Sequence, residues 1–466
     1  MDISMLGTIM ALAWPTMLEM LMQTAVQYID TAMVGSLGTQ ATAAVGATST
    51  VNWLIGSTIS AVGVGFLAFI SQSYGAGEYR KTKRASAQAV FMTLVMGIAI
   101  TLLTTGLSTK VPVWMQVDPG IRDLTSRYFL ILYTPMLFRT ASIILGTVLR
   151  SVRDTRTPMR VGITVNVLNV ILNYFMIYPT RTIMLPFGQM RMFGLGWGVE
   201  GAAAASAVSY AYGGIAIFAA LWRHKTISPR GERFLPDPEI LKLCFRVAIP
   251  NMLQRFGTSL GYVFFAAMIN SLGDISTAAH TIANTVESGF YIPGWGMQTA
   301  AATLAGNAYG ARDGERLKRL GRTFLPLEIG LMVITGSLLF IFAEPLVRIF
   351  TTDPEVVRLG TTVLKMVAVS EPFYGVPIVV EGMMQGCGQT LVPLAFNLLG
   401  MWCVRIAGTY VCTQHLGMGL TAAWGCMIGH NLLLFVLFGV IFLMGRWNPL
   451  TGYEKDLLSL KTESRQ

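Results

Sequence analysis

The sequence predicts an all-α polytopic membrane protein, with twelve transmembrane helices forming two six-helix bundles related by a pseudo-two-fold axis. Three observations predict it. Of 466 residues, 53% are hydrophobic and only 12% charged, where ordinary soluble domains carry about 25% charge. Apolar runs long enough to cross a hydrocarbon core of about 30 Å recur along the chain. The second half also repeats landmarks of the first at a constant spacing.

The apolar runs cover roughly 6–35, 42–70, 86–108, 121–147, 158–179, 199–221, 241–270, 277–305, 322–343, 356–383, 393–413 and 418–444. No soluble domain fits between them. Met1 and Asp2 supply no basic region ahead of the first run, and no small-residue cleavage pattern follows it, so it reads as a retained helix rather than a removed leader. Cys244, Cys387, Cys403, Cys412 and Cys426 are odd in number and contain no C-x-x-C pair. They suggest neither a disulfide framework nor a metal site, and read as small residues in helix packing.

The net charge of +10 is not a nucleic-acid signal, because of where the charges lie. Lys and Arg gather in alternate loops, around Arg80–Arg84, Arg150–Arg160, Arg223–Arg246 and Arg312–Arg322, and after Arg446. The other loops carry few, such as Lys110, Arg181 and Arg191. The positive-inside bias then puts both termini and the basic loops on the cytoplasmic side of the cell (inner) membrane.

The repeat is read directly. "AWPTML" around Pro15 answers "AIPNML" around Pro250, 235 residues later. The same spacing joins Ser36 to Ser271, Tyr74 to Tyr309, Asp118 to Asp353, Thr155 to Thr390 and Pro158 to Pro393. Further on, "GVEGAAAASA" from Gly198 answers "GLTAAWGCM" from Gly419 at a spacing of 221, so the first half holds about fourteen extra residues near "PTRTIMLPFGQMRMFG". A six-helix unit returns the chain to its starting side, so the halves share one orientation and enclose a cleft. The expected organisation is a lobe over 1–222, a cytoplasmic linker over 223–240, a second lobe over 241–445 and a cytoplasmic tail over 446–466.

Enzyme and channel chemistry leave no mark. His224, His280, His415 and His430 have no partner at metal-ligand spacing, and neither G-x-S-x-G nor H-E-x-x-H occurs. No filter-like motif stands out either. The expectation is no enzyme and no cofactor.

Duplication makes each half a control for the other. On the first helix Glu19, Gln23, Gln27 and Asp30 follow intervals of four, four and three, which form one polar stripe. Their twins are Gln254, Thr258, Tyr262 and Phe265, so the scaffold does without a carboxylate at the last position. Asn166, Asn169 and Asn173 share a face of the fifth helix, against Met401, Val404 and Gly408 in the other half. Such a face needs a polar partner inside the bundle, and the Asp30 stripe is the candidate. A carboxylate in a partly desolvated cavity exchanges a proton as its exposure changes, and neighbouring amide oxygens equally suit sodium. Amides also glue helices without a ligand.

In the second half Glu287, whose twin is Asn52, lies in "NTVESGFYIPGWGMQ" with Tyr291 and Trp295. Aromatic faces beside a carboxylate suit an organic cation. The competing reading is an ion pair with Arg255 or Arg405. Arg139, Glu371 and Glu381 are read as structural pairs. Gln23, Gln27, Thr258, Tyr262, Phe265, Glu287, Tyr291 and Trp295 are the candidate substrate contacts.

The twelve-run layout, "IDTAMVGSLG", "NVILNYFMIY", "GVEGAAAAS" and "TAAHTIANTVESGFYIPGWGMQTAAATLAGNAYGA" together resemble the multidrug and toxic compound extrusion (MATE) family, nearly end to end. The resemblance implies the MATE/MOP-type fold and a secondary antiporter that expels cationic or amphipathic organic compounds against protons or sodium, working as a monomer in the lipid bilayer. It matches Asp30 to the family's first-helix aspartate, Asn169 to an asparagine of the DinF-like cation site, and Ser206 to a position where threonine is usual. Asn173 stands where DinF-like members often carry a second aspartate. Thr258 and Tyr374 stand where NorM-like members carry acids, so the pattern is closer to DinF. A lipid-linked oligosaccharide flippase of the same superfamily is the alternative, and a polytopic membrane enzyme a more distant one.

Overall fold

The computed structural model describes residues 3–451. The first half runs α1 (Ile3–Gly35), α2 (Thr39–Gly75), α3 (Tyr79–Gly106), the short α4 (Val111–Trp114), α5 (Arg122–Tyr133), α6 (Met136–Ser151), α7 (Arg156–Ile177), a hairpin of β1 (Pro179–Leu185) and β2 (Gly188–Leu195), and α8 (Gly198–Arg223). The second half runs α9 (Pro238–Asn270), α10 (Asp274–Phe290), α11 (Ile292–Gly310), α12 (Gly314–Phe350), α13 (Pro354–Gly386), α14 (Leu391–His415) and α15 (Leu420–Leu443). Among the described residues, nine helices are long and apolar enough to cross a membrane singly, and α5 with α6 form a tenth crossing bent by 49°. The bend falls at Pro135, which has no N–H to continue the ladder. Helix α9, which carries Glu239, Lys242, Arg246 and Arg255, and the pair α10–α11, interrupted at Tyr291 just before Pro293, complete the twelve.

Several helices overrun the apolar runs that announce them. Helix α3 begins at Tyr79 rather than 86, and α12 spans Gly314–Phe350 rather than 322–343. Residues such as Arg80, Lys81, Glu315 and Arg316 are good helix formers, so the ladder continues beyond the hydrocarbon into the polar zone. The extra residues of the first half are the antiparallel β1–β2 hairpin, turned at Pro186 and Phe187. Helix α14, the duplicate of α7, carries π-helical stretches over Leu399–Ile406 and Val411–His415.

Each lobe has its own apolar core, and the two exchange helix beginnings. Ile9, Leu12 and Ala13 of α1 are buried with α11, α12 and α13 of the second lobe. Ile240 and Cys244 of α9 are buried in the first. Ile9 and Cys244 are duplication twins, so the exchange is reciprocal. The linker is packed down: Ile227 is fully buried, and Gln88 donates to the Leu235 carbonyl (2.8 Å) while accepting from the Asp237 amide (2.9 Å). Asp237 then caps α9 by accepting from the Glu239 amide. Beyond α15, Trp447 and Leu450 are buried in the second core.

The lobes meet most tightly at the end carrying the basic loops. A Cβ on Gly75 would stand 2.0 Å from the Asn307 carbonyl oxygen, and one on Gly310 would stand 1.8 Å from that of Gln72. Only glycine permits backbones to approach so closely. At the opposite end α10 packs mainly on α9, α11, α12 and α13 of its own lobe.

Candidate ion-coupling site and central cavity

Helices α1, α7 and α8 bring together the four residues singled out for ion coupling. The Asn173 amide donates to Asp30 Oδ1 (2.5 Å) and to Asn169 Oδ1 (2.8 Å), and Asn169 donates to Ser206 Oγ (3.2 Å). Asn169 and Asn173 are buried, whereas Asp30 is half-buried. Both amide hydrogens of Asn173 are thus used, while its Oδ1 is buried without a partner. A buried acceptor left unmatched costs about 1–3 kcal/mol, so this oxygen beside a carboxylate favours an incoming donor or cation. One carboxylate among neutral groups suits a single positive charge, and among the described residues no group of three His, Cys, Asp or Glu side chains could hold a metal ion.

The rest of the first-helix stripe divides along its length. Glu19 forms an ion pair with Arg150 of α6 at 2.7 Å, and with Gln23 it lines a cavity of about 660 Å³ between the lobes. Asn166 of α7 lines the same cavity. Helices α1 and α7 therefore present Gln23 and Asn166 to the cavity, and Asp30 and Asn173 to each other. Gln27 is exposed and lines no part of the cavity.

From the second lobe the cavity receives Thr258, Tyr262 and Trp295. Phe265, Glu287 and Tyr291 are not among the residues lining it. Phe265 is 1% exposed because the Arg405 guanidinium lies 4.5 Å from its ring and His280 meets its edge. Tyr291 donates to Glu287 Oε1 at 2.7 Å inside the second lobe.

The MatE family profile matches residues 15–175 and 250–411, one match in each lobe. The chain is a MatE family transporter. It is 27% identical to the probable multidrug resistance protein NorM of Thermotoga maritima over 94% of this chain and 92% of that one. It is 26% identical to the probable multidrug resistance protein YpnP of Bacillus subtilis over 96% and 97%. Its fold superposes at a TM-score of 0.85 on a MATE family transporter in an outward-facing conformation, at 23% identity over 94% of both chains. It superposes equally well on a MOP superfamily transporter from Pyrococcus furiosus, at 22% identity over 94% of both. As a member of this family the chain is a transporter rather than an enzyme.

The remaining membrane charges of this MatE chain are held by neutral groups more than by one another. Among the described residues no ion pair within 4.0 Å joins Glu287 to Arg255 or Arg405; Arg405 instead lies between the rings of Tyr262 and Phe265. Arg139 donates to Asn52 Oδ1 and stands 5.1 Å from the Tyr210 ring centre. Arg255 donates to Asn251 (2.9 Å). Glu381 accepts from Gln254 (2.7 Å), Gln385 (3.1 Å) and Asn397 (3.2 Å). Glu371 accepts from Thr335 (3.2 Å), and both oxygens of the buried Glu328 lack a partner. Among the described residues the ion pairs expected for Arg139, Glu371 and Glu381 are therefore absent, because amides, hydroxyls and rings fill those places.

Sequence reasoning missed Arg150 and its pairing with Glu19. No sequence signal announced it; only the structure shows that the twins of Glu19 and Arg150, Gln254 and Gln385, likewise converge, both bonding Glu381 in the other lobe.

Proposed function

We propose that this protein is a secondary antiporter for multidrug efflux, moving cationic or amphipathic organic compounds by alternating access against an inward flow of protons or sodium. It acts as a monomer in the cell (inner) membrane with both termini on the cytoplasmic side, and its cleft opens outward, at the end away from the basic loops. The observation that carries the reading is the division of labour on α1 and α7. The two helices hold Asp30 against Asn173 at 2.5 Å, and a few turns away they present Gln23 and Asn166 to the central cavity. Neutralising Asp30 with a proton or a cation changes what Asn173 must satisfy, and any shift of α1 against α7 reshapes the cavity wall. A ligand that binds the two packings unequally moves that equilibrium, which is the requirement for coupling. The names of the relatives from Thermotoga and Bacillus, both probable multidrug resistance proteins, support the substrate class.

The test is uptake of a fluorescent organic cation into proteoliposomes, with proton and sodium gradients imposed separately. Gradient-driven uptake by the wild type and its loss in Asp30→Asn support the reading. Equal uptake with and without either gradient overturns it.

A further inference from the structure

The central cavity is lined by three guanidinium groups and two carboxylates, Arg139, Arg150, Arg255, Glu19 and Glu381. Pairing does not cancel them. Glu19 is consumed by Arg150 at 2.7 Å. Glu381 is surrounded by three amide donors and attracts Arg255 without forming an ion pair within 4.0 Å. Arg139 has no carboxylate at all among the described residues within that distance. Its partner is the neutral Asn52 amide, whose oxygen also accepts from Tyr133 (2.9 Å), and the Tyr210 ring stands beside it. Held by the amide and the ring, the planar fork is pre-organised to meet two oxygens of an anionic group. An arginine at membrane depth without a counter-charge is costly, and a bound anion removes that cost. Trp53 and Trp295 add exposed aromatic walls at 51% and 41% accessibility.

We infer that the cavity selects amphipathic aromatic compounds that carry an anionic group, with Arg139 as the specificity-determining contact and Arg255 lining the same cavity from the other lobe. This rests on the efflux reading and replaces its cationic class: of the cationic or amphipathic compounds named there, it keeps the amphipathic ones that bear a carboxylate, sulfonate or phosphate. The anionic group can belong to a free organic molecule or to the phosphate of a polyprenyl lipid, since the guanidinium recognises the same oxygens in both.

The experiment measures equilibrium binding to the full chain in phosphatidylcholine nanodiscs. Its probes are naphthalene-2-sulfonate, the neutral naphthalene-2-sulfonamide and the cation tetraphenylphosphonium. The expected result is at least about tenfold tighter binding of the sulfonate than of the sulfonamide, since a charge-assisted fork is worth that much. The advantage disappears in Arg139→Gln and is retained in part in Arg139→Lys; Arg255→Gln, which leaves the first lobe untouched, reduces it. Displacement of bound sulfonate by a polyprenyl phosphate assigns the anion to a lipid, and retention assigns it to a free molecule; both support the inference. Equal binding of sulfonate and sulfonamide, or an advantage that survives both glutamine variants, overturns it. Gradient-driven tetraphenylphosphonium transport without any anion preference would remove this inference and leave efflux standing. Sulfonate selectivity without gradient-driven movement of any probe would do the reverse.

Discussion

Gln72 and Asn307 lie 235 residues apart, the spacing of the duplication, and each side chain donates a hydrogen bond into the opposite lobe. Gln72 donates to the Gly386 carbonyl (3.0 Å), and Asn307 donates to that of Ser151 (3.4 Å) as well as to Ser71 (2.8 Å). Ser151 and Gly386 are themselves twins, so the pseudo-two-fold axis runs through this contact. Arg153 adds a 2.7 Å bond to Asn307 Oδ1. Placing an alanine Cβ at Gly310, 1.8 Å from a backbone oxygen, keeps the lobes from closing at this end. We expect Gly310→Ala to make cysteines introduced beside this latch more accessible to a water-soluble maleimide than in the parent. Unchanged labelling would show that the latch does not hold the state seen here.

Asp30→Asn should abolish the response of organic-compound transport to imposed proton and sodium gradients while leaving expression and thermal stability near the parent. Asn173→Ala should weaken coupling nearly as much, because it removes both the donor to Asp30 and the donor to Asn169. Ser206→Ala should act less, since it lies at the far end of the relay at 3.2 Å. Flux ratios across the three variants check the order.

Glu19→Gln leaves Arg150 facing a neutral amide in a largely buried setting, with side-chain exposures of 17% and 20% in the parent pair. Leaving one partner of such a charged bond behind costs about 1–3 kcal/mol, which should appear as a lower melting temperature in detergent. Gln254→Glu in the duplicate position provides the contrast: it adds a carboxylate beside Glu381, and the two repel.

Tyr291→Phe removes the hydroxyl bonded to Glu287 and should destabilise the second lobe by about 1–3 kcal/mol without altering the ion dependence of transport. Phe265→Leu should likewise lower stability, because it withdraws a buried ring from Arg405, and leave coupling intact. Loss of coupling in either variant would relocate part of the ion pathway to the second lobe.

The residues of the Asp30–Asn173 cluster were largely legible because each helix's share of it is local. A helix places residues four and three apart on one side, so the α1 stripe and the α7 amides could be read without knowing the packing. The cavity was less so. Gln27 obeys the same periodicity as Gln23 yet lines no part of the cavity, and Glu287 and Tyr291, on one helical face, bond each other. Periodicity gives a face, and the neighbouring helices determine what that face meets.

By itself the sequence determined the twelve apolar crossings, the six-helix duplication and the asymmetry that leaves Asp30 without an acidic twin, since composition and spacing along one chain carry all three. Only the tertiary structure decided that Asn173 reaches Asp30, that Glu19 is spent on Arg150, and that Arg139 stands in the cavity without a carboxylate. Those two pairings and the Arg139–Asn52 contact join residues 143, 131 and 87 positions apart, and the burial and backbone approach that bring them together are properties of the packed lobes rather than of any one helix.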